Sequence, residues 1–146
     1  TVTTDEIAHT WKGKTISTFG GNPVSMAALC ATQDELKACD APANAEARGA
    51  ELRAGLEAIQ GRHPWVGDVR GMGLMQAMEI VKDPMTKEPD NDRTAAFLQA
   101  TRDEGLLIGV GGLNGTVVRI GPALNISSED IAEGLAKLAR AADKVG

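Results

Sequence analysis

Leu106-Leu107-Ile108-Gly109-Val110-Gly111-Gly112-Leu113-Asn114-Gly115-Thr116-Val117-Val118-Arg119-Ile120 decides the fold class. Two apolar, partly β-branched runs flank a glycine-rich connection, and Asn-Gly between such runs is a strong hairpin signal. Residues 106–110 and 116–120 therefore read as paired antiparallel strands. The same glycines do not make a dinucleotide loop. Asn114 stands where the last glycine of that pattern belongs, and a strand follows where the pattern needs a helix N-terminus.

Upstream lies a second pair. Val66 and Val69 precede Arg70-Gly71-Met72-Gly73, whose glycines suit a tight turn, and Leu74, Gln76, Met78 and Ile80 alternate on one strand face. Helical spacing covers most of the rest. One run spans 23–37 on Val24, Ala27, Ala28, Ala31 and Leu36. After a break at Asp40-Ala41-Pro42, another spans 44–59 on Leu52, Leu56 and Ile59. A third, capped by Asn91 or Asp92, carries Ala96, Phe97, Ala100 and Thr101 and stops at Gly105. The last is capped by Ser127 with Asp130 three residues on. Ile126 and Ile131 form a staple across that cap, and Ile131, Leu135, Leu138 and Ala142 line one face. A short helix, Asp5-Glu6-Ile7-Ala8 after Thr4, opens the chain. Paired strands with helices to cover one face make an α+β, two-layer domain around a small antiparallel sheet.

The chain has 146 residues, the size of one ordinary domain. Its net charge is −5 and it has no basic cluster, which argues against nucleic acid or an anionic membrane as partner. No apolar run has membrane length. Cys30 and Cys39 are nine positions apart in sequence, too far to bridge if one helix ran through both. Two free thiols fit a reducing cytoplasm. His9 and His63 give no metal spacing with the cysteines, and no nucleophile elbow is present.

Two places carry chemistry. Ser17-Thr18-Phe19-Gly20-Gly21-Asn22-Pro23 sets two hydroxyls and two glycines ahead of a helix start, with Asn22 as cap and Pro23 as first helical residue. Such a stretch can hold an anion, or simply enter a helix through a turn. Arg119 interrupts an otherwise apolar strand. A guanidinium on a rigid strand near a sheet end suits a bidentate grip on a carboxylate, although a lone strand arginine more often pairs with an acid or faces solvent.

Four motifs in order give the chain a wider likeness. Thr3-Thr4-Asp5-Glu6-Ile7-Ala8, Ser17 to Pro23, Arg70-Gly71-Met72-Gly73-Leu74, and Val118-Arg119-Ile120-Gly121-Pro122-Ala123-Leu124 resemble the C-terminal part of the class III aminotransferases, pyridoxal-phosphate enzymes of fold type I. The Ser17 to Pro23 stretch is the most specific, and its Thr-Phe form is similar to the alanine–glyoxylate branch. The resemblance implies that Thr18, with Ser17, hydrogen-bonds the cofactor phosphate across the interface of a homodimer, and that Arg119 binds the substrate carboxylate.

The resemblance also divides the chain. Residues 1–22 would be a remnant of the large cofactor-binding domain, and 23–146 the C-terminal small domain with a long interdomain helical segment. The family's Schiff-base lysine and the acid that holds the pyridinium nitrogen lie upstream of Thr3, and none of the seven lysines here has that context. The expectation is a C-terminal fragment of a cytoplasmic enzyme that moves an amino group between an amino acid and a 2-oxo acid. It would hold no catalytic lysine and no metal, and would be inactive alone. As a fragment it should also expose the apolar side of its 23–59 helices, or self-associate through it. The rival expectation is a standalone α+β module that binds or regulates through a small molecule.

Overall fold

A computed structural model describes residues 3–13 and 16–146. The elements run α1 (Asp5–Ala8), α2 (Pro23–Ala38), α3 (Ala41–Arg62), β1 (Val66–Met72), β2 (Met75–Ile80), α4 (Asn91–Asp103), β3 (Gly109–Gly111), β4 (Val117–Ile120) and α5 (Ser128–Val145). The chain falls into two compact units that divide between Asp34 and Glu35, inside α2.

In the first unit α1 starts after Thr4, whose side chain makes no capping bond, and no residue of α1 is buried. Helix α2 likewise buries none of its residues, and Val24, Met26 and Leu29 stay exposed. Its start follows the sequence. The Ser25 N–H donates to Asn22 Oδ1 at 2.9 Å, and Asn22 Nδ2 donates to the Phe19 carbonyl at 2.6 Å.

The second unit is the α+β body. All four strands are antiparallel, in the order β1-β2-β4-β3. Gly73-Leu74 forms the two-residue turn between β1 and β2, with Gly73 at φ 51 in the first central position, as a type II′ turn requires. Gly49 of α3 makes room for that turn, since a Cβ there would lie 2.3 Å from the Gly73 carbonyl carbon. Helices α3, α4 and α5 cover one sheet face. Between them, Leu52, Leu56, Ile59, Phe97 and Leu138 meet Val66, Val69, Met78, Ile80 and Val118 in one core. Trp65 packs edge-on against Phe97 with ring centres 5.5 Å apart.

Several expectations shift. Helix α3 begins at Ala41, directly after Asp40 in the left-handed region at φ 44, and its apolar side lies in the core of this unit. Exposure of an apolar helix side holds for α2 and not for α3. Asp90 caps α4 in place of Asn91 or Asp92, accepting from the Arg93 N–H at 3.0 Å. Strand β3 is only Gly109–Gly111, because residues 106–108 run alongside the core without a ladder partner. The β3–β4 connection spans 112–116, with its positive φ values at Gly112 and Gly115, so Asn114-Gly115 is not a two-residue turn. Ser127 caps α5 as its spacing foretells: the Asp130 N–H donates to Ser127 Oγ at 3.0 Å.

Candidate functional site

A strand alternates its side chains between faces, so the residues between the core positions must point away from the helices. On β1 these are Asp68 and Arg70, on β2 Ala77 and Glu79, and on β4 Val117 and Arg119. None is buried. The register aligns Arg70, Ala77, Arg119 and Gly109 in one row across the four strands. A groove of about 450 Å³ opens along this row, walled by Arg70, Met75, Ala77, Val110, Arg119 and Ile120.

The two guanidiniums of the row differ. Arg70 Nη1 donates to Asp68 Oδ2 and to Glu79 Oε2, each at 2.6 Å. Those two hydrogen bonds, Asp68 first, raise its pKa further above the ordinary arginine value. Arg119 is exposed and makes no ion pair or hydrogen bond through its side chain among the described residues. Its stem passes over Gly111, where an added Cβ would sit 3.2 Å from Arg119 Cδ, while a Cβ on Gly109 would meet nothing within 4 Å. An exposed guanidinium on a rigid strand, with apolar neighbours and no internal acid, is chemically suited to an external carboxylate.

Ser17 and Thr18 lie in the first unit, in an exposed turn closed by the Gly20 N–H on the Ser17 carbonyl at 3.3 Å. Gly20 leaves space for the Ser17 hydroxyl, which a Cβ would approach to 2.8 Å. Among the described residues neither hydroxyl is engaged in a hydrogen bond. These donors fit the phosphate end of pyridoxal phosphate. No cluster of metal-ligating side chains occurs among the described residues, and Cys30 and Cys39 are unbridged. No helix of the described residues is long and apolar enough to cross a membrane.

The sequence points to Arg119 and not to its row. Asp68 and Arg70 are spaced to share a strand face, which was a usable signal. The glycines of Arg70-Gly71-Met72-Gly73 suit a turn, but β1 continues through Met72 and the turn itself is Gly73-Leu74. Gln76 falls on the core face as its alternation requires. Its Nε2 donates to the Gly73 carbonyl at 2.7 Å.

The family model for aminotransferase class III matches residues 1–142, and the chain belongs to that family. It is 37% identical over 130 residues to alanine–glyoxylate aminotransferase 2 homolog 2, mitochondrial, of Arabidopsis thaliana, covering 88% of this chain and 27% of that one. Among solved structures, a Bacillus anthracis aminotransferase superposes with TM-score 0.86 at 35% identity, over 96% of this chain and 34% of its own. An amine transaminase from an uncultivated Pseudomonas species, described in its PLP-bound form, superposes with TM-score 0.82 at 28% identity, over 96% of this chain and 31% of its own. The chain thus spans about a third or less of the proteins it matches. Its α+β fold is that of the matching portion of these transaminases.

Proposed function

We propose that this chain forms the C-terminal part of a cytoplasmic, homodimeric class III aminotransferase, which moves an amino group between an amino acid and a 2-oxo acid. Pyridoxal phosphate, when bound, supplies the electron sink on which the amino group is exchanged. Ser17 and Thr18 donate their hydroxyls to its phosphate from across the dimer interface. Arg119 grips the substrate carboxylate with two parallel guanidinium N–H groups and so fixes the orientation of the substrate amine. None of the seven lysines lies in the family's Schiff-base context, so amino transfer by these residues alone is not expected.

The observation that carries this reading is Arg119, exposed on the groove wall without an internal acid. It is tested by combining the chain with a separately made large-domain segment of the family and the cofactor, then following amino transfer from alanine to a 2-oxo acid. Arg119→Ala should raise KM for the carboxylate substrate by about 10–100-fold, the worth of a charge-assisted hydrogen-bonded pair. An unchanged KM removes the carboxylate role. If no assembly with large-domain segments or cofactor forms, while the chain binds a small ligand on its own, the standalone module is the correct description.

A further inference from the structure

We propose that Asp68 and Glu79 determine specificity in the Arg119 groove: by engaging Arg70 they limit it to ligands with one anionic group and an apolar body. This rests on the reading of Arg119 as a carboxylate clamp. Arg70 and Arg119 flank Ala77 in one row on the sheet face turned away from the core, with β2 between their strands. Two strand spacings put their Cα atoms roughly 10 Å apart. Two free guanidiniums across a single methyl group would make a site for two carboxylates. Asp68 and Glu79 prevent that.

Asp68 and Glu79 are direct cross-strand partners. Like charges opposite each other on neighbouring strands repel, and here Arg70 Nη1 bridges them with a 2.6 Å bond to each. Two carboxylates against one guanidinium leave a net charge of −1 at that end of the row. A second anionic group arriving there meets repulsion, although part of the Arg70 guanidinium stays open. At the other end Arg119 has no acid partner among the described residues. Ala77 between the two ends and Met75 beside it on the same face of β2 supply the carbon surface of the groove. One charge is bound and the remainder of the ligand lies on carbon.

The test is a titration of the 146-residue chain with butyrate and with glutarate at pH 7, following the arginine Nε–H resonances by NMR. In the unsubstituted chain butyrate should shift Arg119, glutarate should bind no more tightly than butyrate, and neither should move Arg70. In Asp68→Asn/Glu79→Gln the preference for glutarate over butyrate should rise roughly fivefold, the upper range of an exposed ion pair, and the Arg70 resonance should move with it. Glu79→Gln alone should give a smaller gain, and it carries the test if the double variant does not fold. A fivefold glutarate preference already present in the unsubstituted chain, or no gain in the variants, overturns the role of the two acids and leaves Arg119 as the clamp. No binding of either ligand, or binding that survives Arg119→Ala, overturns the clamp itself.

Discussion

Arg119 depends on what is missing beside it. Its stem lies over Gly111, where a Cβ would come within 3.2 Å of Cδ, whereas its direct partner Gly109 has open space. The contrast gives a matched pair of substitutions. Gly111→Ala should displace the Arg119 side chain and weaken carboxylate binding by about two- to fivefold, as expected when an exposed charged contact loses its geometry. Gly109→Ala should leave it unchanged. Carboxylate titrations of both variants decide the point, and equal effects would show that the Gly111 approach does not position the guanidinium.

Between elements, Glu104 at the end of α4 ties that helix to α5. Its carboxylate accepts from Lys144 Nζ and from Arg140 Nε, each at 2.6 Å. The hydrogen bond from Lys144, and next that from Arg140, holds its pKa below the ordinary glutamate value of 4.5. A depressed carboxylate pKa stabilises the folded state above the unfolded pKa, and that contribution fades as pH falls through the folded pKa. Melting temperatures of the chain and of Glu104→Gln should therefore differ by a constant amount above about pH 6 and draw together as pH falls below the ordinary glutamate value. A constant difference down to pH 3 would show that the pair of cations does not act through this charge.

At this same scale the sequence was legible wherever a local signal named the structure. Ser127 with Asp130 marked α5, Asn22-Pro23 marked α2, and the alternation of Gln76, Met78 and Ile80 marked the buried face of β2, although Leu74 falls in the turn before it. Hidden features came from tertiary context. Gly67 lies in a bulge that lets Val66 and Val69, three residues apart, share the core face, and this breaks the period of two. Asp90 won the α4 cap from its polar neighbours because its side chain reaches the Arg93 N–H. Strand order was not legible either, since nothing local specifies that β4 pairs with β2.

Over the whole molecule, burial is concentrated in residues 35–146. Phe97 is fully buried against Trp65, and Phe97→Ala should cost about 3–5 kcal/mol, a large part of what holds a domain folded. Leu29 on α2 is 51% exposed, and Leu29→Ala should change stability by less than about 0.5 kcal/mol. Urea unfolding followed by circular dichroism measures both. Comparable losses would mean that α2 is covered in solution by something, a second copy being the first candidate.

The strand order β1-β2-β4-β3 has a kinetic consequence. Strands β1 and β2 are joined by two residues and β3 and β4 by five, so each hairpin closes a short loop that costs little entropy. Only the β2–β4 ladder, Gln76 to Glu79 against Val117 to Ile120, joins segments distant in sequence. We expect the two hairpins to form early and to meet late, with α4 docking as they do. That last ladder contains the Ala77–Arg119 pairing. Arg70 and Arg119 therefore share a surface only once folding is complete, and a chain halted at separate hairpins would carry the clamp residue without its groove. Stopped-flow refolding should show ligand-responsive Arg119 signals arriving with the final phase, and their appearance with the earliest phase would reverse this order.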